Sequence, residues 1–190
     1  MKNHPPKQAW APPPEAWAPL FFIAKRDSLS TFRPERSATR KQRQTTMEKI
    51  GFASDHAGYE YKQQLIAYLR RKGYSVVDYG THGTDSVDYP DFAHALAEGI
   101  EKGEVDKGIA LCGTGNGMAM TLNHHKGIRA GLAWNRDIGA LVAQHNNANV
   151  LVMPARFITL TMARLIVKTW LETEFEGGRH QRRIEKIPCA

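Results

Sequence analysis

The sequence predicts an α/β fold: a Rossmann-like, three-layer αβα sandwich around a five-stranded parallel sheet. Short apolar runs that read as buried strands alternate with longer segments whose apolar residues recur at helical spacing. A glycine-rich turn, Gly113 to Gly117, joins one of those strands directly to a helix. All of this lies in residues 47–190, and a different composition rules before them.

In chain order, Lys49 to Ser54 reads as a first buried strand. A helix from Tyr59 to Lys72 places Tyr61, Leu65, Tyr68 and Leu69 on one face, and Gly73 stops it. Tyr74 to Tyr79 is a second strand, followed by a loop rich in Gly, Thr and Asp from Gly80 to Asp88. Pro90 starts a second helix with Phe92, Leu96 and Ile100 inward. Lys107 to Leu111 is the third strand, and the helix after the glycine turn runs from Met118 to about His124. Ile128 to Trp134 is the fourth strand and Asp137 to His145 the fourth helix. Asn149 to Met153 is the fifth strand. A long helix from Thr159 to Glu174 covers the sheet with Leu165, Ile166, Thr169 and Trp170. Strands that alternate with helices form a parallel sheet covered on both faces, joined by right-handed crossovers.

The 190 residues suffice for one domain with a real core. No apolar run reaches the length of a membrane-spanning helix. Two cysteines, at 112 and 189, make no metal-ligand or disulfide framework. They suit a reducing compartment, and a cytoplasmic protein is expected. The net charge of +7 is a property of one end. Residues 1–46 hold nine Lys/Arg against three Asp/Glu, whereas the rest holds 17 against 16. A nucleic-acid-binding domain is therefore not expected. Residues 1–46 also carry seven of the ten prolines and no persistent period, so a disordered or non-native extension is expected there. Leu20 to Ala24 is too short and badly placed for a secretory signal. Poverty in acid, with Arg and Ser, faintly suggests a transit peptide. Upstream sequence preceding a start at Met47 is the simpler account.

Ligands of such folds bind outside the carboxyl ends of the strands. That makes candidates of Asp55 and His56 after the first strand, Cys112 to Gly117 after the third, Trp134 and Asn135 after the fourth, and Pro154 to Arg156 after the fifth. Glycines let backbone N–H groups face an oxyanion, and the following helix N-terminus favours negative charge. The same field favours the anion of a nearby thiol, which makes Cys112 a candidate base or nucleophile. A buried strand-end cysteine before an ordinary turn is the plainer account. Asp55 reads either as a helix N-cap or, with His56, as a polar pair at the mouth of the sheet. His145 ends the fourth helix before a C-cap asparagine, and there it could serve as a general acid. Arg179 and Arg183, at i and i+4, share one helix face and could clamp a phosphate, with Arg156 joining them. His124 and His125 face apart and have no carboxylate at ligand spacing, so no metal is expected.

Rival chemistries fail on spacing. A dinucleotide fold needs G-x-G-x-x-G after its first strand, but here G-x-G-x-G follows the third. No Gly-Lys-Ser/Thr ends the turn, which excludes a P-loop. A cysteine phosphatase would place arginine six residues after its cysteine, where Met118 stands. A pure interaction module would leave the polar residues at one end of the sheet without a purpose, and a non-catalytic phosphosugar-binding module stands as the alternative of another class.

Seven segments together resemble one family: ribose-5-phosphate isomerase B and its galactose-6-phosphate isomerase subunit relatives. They are Ser54-Asp55-His56-Ala57-Gly58, Asp88-Tyr89-Pro90, Gly103-Glu104-Val105-Asp106, Cys112-Gly113-Thr114-Gly115-Asn116-Gly117, Gly127-Ile128-Arg129-Ala130, Gln144-His145-Asn146 and Glu176-Gly177-Gly178-Arg179-His180. The resemblance covers essentially all of residues 47–190 and none of 1–46. The resemblance implies interconversion of ribose 5-phosphate and ribulose 5-phosphate through a cis-enediolate, in the non-oxidative pentose phosphate pathway, without metal or cofactor. It implies Cys112 as the base, His145 in ring opening, and Asp55 and His56 at the sugar hydroxyls. Thr114 and the amides of Gly113, Gly115, Asn116 and Gly117 would face the enediolate, and Asn146 the sugar. Arg156, Arg179 and Arg183 would hold the phosphate, with His56 nearby. It also implies a homodimer, in some members a tetramer, whose sites are shared between chains. A six-carbon substrate, allose 6-phosphate or galactose 6-phosphate, would need the same chemistry.

Overall fold

The computed structural model describes residues 48–188. The expectations for residues 1–46, for a start at Met47 and for Cys189 fall outside the described residues. Five strands form one sheet: β1 (Lys49–Ser54), β2 (Ser75–Asp78), β3 (Lys107–Cys112), β4 (Ala130–Leu132) and β5 (Val150–Pro154). Every pairing is parallel, in the order β2-β1-β3-β5-β4. The helices are α1 (Tyr59–Arg71), α2 (Tyr89–Glu101), α3 (Asn116–Leu122), α4 (Arg136–Gln144), α5 (Leu160–Glu172) and α6 (Arg179–Ile184).

Alternation along the strands separates two cores. Phe52, Ile109 and Leu151 face one side with Leu65 of α1, Val142 of α4 and Ile166 and Trp170 of α5. Their chain neighbours Ala53, Ala110 and Val152 face the other, with Leu96 of α2 and Met118 of α3. This period-two division of apolar strands between helical layers is the three-layer sandwich that was expected. The chain steps from β1 to β2 on one side and then crosses to β3 on the other. The crevice between the carboxyl ends of β1 and β3 is thus a switch point.

Several details differ from the sequence reading. The face of α1 that enters the core includes Lys62 and Ile66, while Tyr61 and Tyr68 are half-buried. Lys62 is fully buried; its Nζ is paired with Asp78 and donates to the Thr81 carbonyl at 2.6 Å. Burial lowers the Lys62 pKa, and the Asp78 carboxylate opposes that shift. In α5, Leu165 is exposed, and Ala163 and Val167 take the inward positions with Ile166 and Trp170. In α2, Ala93, Leu96, Ala97 and Gly99 are buried, with Phe92 and Ile100 packed at the edge. Small residues let helix and sheet approach closely, a signal that a pattern of large apolar residues misses. β4 keeps only three of the seven residues assigned to it, because pairing with β5 stops at Leu132. α3 starts at Asn116, so the last two residues of the glycine motif form its first turn. A sixth helix, α6, adds to the five counted from periodicity.

Candidate active site

Two clusters of polar residues emerge, at opposite ends of the sheet. The first surrounds Cys112, the last residue of β3, which is buried with a 4% exposed surface. The Gly115 N–H donates to its Sγ at 3.1 Å. The turn from Gly113 to Gly115 therefore curls over the sulfur instead of leading away from it. Gly115 stands at φ +78°, where a side chain is strained, and an added Cβ would lie 2.3 Å from Leu132 Cδ1. A Cβ on Gly117 would lie 2.5 Å from the Tyr89 ring, so that ring packs directly on the first turn of α3. Thr114 is exposed, and its Oγ1 accepts from the Asn116 N–H at 3.4 Å.

Across the β1/β3 crevice, Asp55 is buried, and its Oδ1 accepts from the Gly58 N–H at 3.0 Å. Gly58, not Asp55, occupies the N-cap of α1. Asp55 instead closes the turn before the helix and holds His56 beside it. The Val87 N–H donates to His56 Nδ1 at 3.4 Å, which ties the 80–88 loop to the same mouth. Arg156 follows β5. Its backbone N–H donates to Gly113 O at 3.1 Å, and its Cδ, Nε and Cζ come within 3.4 to 3.6 Å of the place a Gly113 Cβ would take. The cation thus leans over the glycine turn.

The second cluster gathers where α4 ends. α4 leaves the carboxyl end of β4 and returns to the start of β5, so its last turn lies at the amino end of the sheet. His145 is its C-cap residue. Its ring stacks on His180 with centroids 4.2 Å apart and planes 5° from parallel. Glu176 Oε2 lies 3.8 Å from Nε2 of both rings. The Glu176 N–H donates to Gln144 O at 3.0 Å, and Gln144 Nε2 donates to Glu176 Oε2 at 3.2 Å. Arg179 Nε donates to His180 Nε2 at 3.3 Å. Arg179 and Arg183 both belong to α6, as their spacing implied, and both are exposed. His180 is 4% exposed. Burial, then the His145 ring and the Arg179 cation, lower its pKa below the ordinary histidine value.

Cys112 pairs in register with Pro154, and Gly108 with Val150 at the other end of β5. Four residues of strand, roughly 13 Å, thus separate the level of the sulfur from the level at which α4 returns. Within one chain, Asp55, His56, the Cys112 turn and Arg156 come together. His145, Asn146, Arg179 and Arg183 come together elsewhere.

Several participants were absent from the sequence reading. Tyr89 was part of a quoted motif, yet nothing in its spacing said that its ring would cover Gly117. His180 and Glu176 were read only as neighbours of Arg179. The left-handed residue after α4 is Asn147 (φ 45°), not Asn146. No carboxylate lies at ligand spacing from His125 along the chain, yet the fold brings one to it. His125 Nδ1 lies 3.3 Å from Glu101 Oε2, and its Nε2 lies 2.7 Å from His94 Nδ1. Residues on α2 supply these partners, which spacing along the chain cannot reveal.

Comparison with known proteins agrees with this architecture. A sequence model described as Ribose/Galactose Isomerase matches residues 50–187. Ribose-5-phosphate isomerase B of Escherichia coli (strain K12) is 42% identical over 141 residues, 74% of this chain and 95% of that protein. A probable ribose-5-phosphate isomerase B of Mycoplasma genitalium is 45% identical, with 73% and 92% covered. Among solved structures, a ribose 5-phosphate isomerase from Thermotoga maritima superposes with a TM-score of 0.72 at 50% identity, covering 74% of this chain and 97% of that one. The Mycoplasma genitalium enzyme with bound ribulose-5-phosphate superposes at 0.71 and 45% identity, covering 73% and 93%. With seven motifs in order, a matching fold and a family match over most of its length, the chain belongs to the ribose/galactose isomerase family.

Proposed function

We propose that this chain is a ribose-5-phosphate isomerase, an aldose-ketose isomerase that interconverts D-ribose 5-phosphate and D-ribulose 5-phosphate in the pentose phosphate pathway of the cytoplasm. One observation carries the reading: a buried cysteine sulfur under a glycine turn, with an arginine cation leaning on that turn, in a chain whose relatives bear this name.

The chemistry has three stages. The furanose first opens, which needs a donor at the ring oxygen and an acceptor at the anomeric hydroxyl; His145 takes the donor role, and Asp55 and His56 hold the sugar hydroxyls or share that step by accepting the anomeric proton. The Cys112 thiolate then removes the C2 proton of the open aldose, leaving a cis-enediolate whose charge rests on O1, and the proton of the O2 hydroxyl passes to O1, so that the charge moves to O2. The same sulfur returns the proton to C1, giving the ketose. Amides from Gly113 to Gly117, with Thr114, stabilise the enediolate oxygens; such donors are typically worth ~3 kcal/mol each. Arg156, Arg179 and Arg183 hold the phosphate and Asn146 the sugar.

These roles span both ends of the sheet, so the working unit is a homodimer in which His145, Asn146, Arg179 and Arg183 of one protomer complete the cysteine site of its partner. Exposed Tyr89, Trp134 and Phe157 at the carboxyl-end mouth support a covered surface there.

A coupled assay that compares ribose 5-phosphate, allose 6-phosphate and galactose 6-phosphate tests the substrate. Ribose 5-phosphate should show the highest kcat/KM. Turnover of a hexose phosphate alone would transfer the reading to the six-carbon branch, and turnover of none would leave a binding module.

A further inference from the structure

We propose that Lys62 is a positioning residue for the sugar-binding mouth: from inside the fold it anchors the 80–88 loop, and that loop sets the orientation and tautomer of His56. The effect on turnover rests on the sugar-contacting role proposed for His56. Lys62 lies one helical turn beyond Gly58, to whose carbonyl its backbone N–H donates at 2.9 Å. The Gly58 N–H is in turn held by Asp55 Oδ1, so Lys62 leaves the same turn that Asp55 closes. The Lys62 side chain is fully buried. Its Nζ pairs with Asp78 and donates to Thr81 O at 2.6 Å. Asp78 Oδ1 also accepts from the Gly80 N–H at 3.0 Å, and Asp78 Oδ2 from Gln63 Nε2 at 3.2 Å. One cation thus holds the start of the loop, directly at Thr81 and through the carboxylate at Gly80.

The anchored segment is tied to the residue that precedes Asp55 and His56. The Ser54 N–H donates to Gly80 O at 2.7 Å, and the Thr81 N–H to Ser54 O at 2.8 Å. At the far end of the loop the Val87 N–H donates to His56 Nδ1 at 3.4 Å. Between these anchorages His82, Thr84, Asp85 and Ser86 are exposed, so the place of Val87 depends on where the loop starts. A donor at Nδ1 leaves the proton of the neutral ring on Nε2. His56 then offers a sugar hydroxyl an N–H donor, and the Asp55 carboxylate is the acceptor of the pair. A buried ion pair is often no more stabilising than apolar side chains of the same volume. Methionine would fill the space of Lys62 but would hold neither Asp78 nor the carbonyl of Thr81, which is buried and needs a donor. The charge therefore serves the position of the loop.

Two readouts on the full chain test this. The variant is Lys62→Met; should the unpaired Asp78 carboxylate prevent folding, Lys62→Met/Asp78→Asn removes both charges and takes its place. Nitrogen-15 NMR of the histidines under alkaline conditions needs no activity, and His56→Ala identifies the His56 signals. Wild type should show His56 with a bare Nδ1 and a protonated Nε2, and the Lys62 variant a mixture of the two tautomers. Steady-state kinetics on ribose 5-phosphate supply the second readout. Loss of Lys62 should lower kcat/KM about tenfold in the otherwise wild-type chain, but less than about twofold in the His56→Ala chain, because the group it acts through is already gone. An equal fold-loss in both backgrounds overturns the proposal, since a merely structural lysine would give that result. So does an unchanged His56 tautomer in a folded Lys62 variant. A wild-type chain without isomerase activity counts against the proposed function alone, and the NMR spectrum then decides the role of Lys62.

Discussion

The two ends of this sheet are built by opposite means. At the carboxyl end the chemistry stands on backbone. A strand delivers the Cys112 sulfur, the Gly115 N–H points at it, and Gly117 yields room to the Tyr89 ring. At the amino end it stands on side chains: two stacked imidazoles, a carboxylate between their nitrogens, and arginines on a short helix. Backbone donors are positioned by the fold and survive every single substitution except proline. Side-chain groups can be deleted one at a time, and they tolerate delivery by a second chain. The division suits the proposed chemistry, in which the charge that develops in the enediolate meets a rigid surface while phosphate and ring oxygen meet longer, adaptable groups.

The sharpest way to break this contrast is complementation. Cys112→Ser and His145→Asn should each lower kcat by about 10²–10⁴-fold, the usual worth of a positioned acid or base. When the two inactive variants are mixed, dissociated and reassembled, about a quarter of the wild-type sites should return, because half the dimers are mixed and each mixed dimer has one intact composite site. No recovery would mean that the two ends do not serve one another across an interface. A smaller effect belongs to the phosphate. Arg183→Ala should raise KM tenfold or more with kcat little changed, as expected for a charge-assisted contact made equally in ground and transition states. Steady-state kinetics on ribose 5-phosphate would show it, and an unchanged KM would remove Arg183 from the clamp.

The smallest effect is on stability. His180 has a folded pKa below its ordinary value of 6.5, so between those values the unfolded chain binds the extra proton. Stability is therefore full above about pH 6.5 and is lost as pH falls through the lowered value. The groups facing His180 are His145, Glu176, Arg179 and Arg183. Melting curves of His180→Gln should be flatter than wild type below about pH 6.5; parallel curves would show that His180 does not carry this dependence.

Much of this was readable from the chain. Apolar runs at strand length and helical spacing placed every strand and five of the six helices. The carboxyl-end rule for α/β sheets singled out Asp55, Cys112 and Arg156 before any contact was known. Other features were hidden for definite reasons. The burial of Lys62 had no local signal, because its partner Asp78 lies on the next strand. Leu165 reads as core because spacing cannot say which edge of a helical stripe a neighbouring helix covers. His125 looked partnerless because Glu101 and His94 belong to another helix.

The sequence by itself determined the layer order, the glycine turn after a strand-end cysteine, and the shared face of Arg179 and Arg183. These are local properties, set by side-chain period and backbone freedom within a few residues. Only the tertiary structure decided that Cys112 and His145 stand at opposite ends of one sheet, and that Glu176 lies between His145 and His180. A parallel strand and the helix that returns from it run in opposite directions, so residues at the ends of both are separated by the length of the layer. That separation arises from the packing of helix on sheet, to which motif order along the chain is blind.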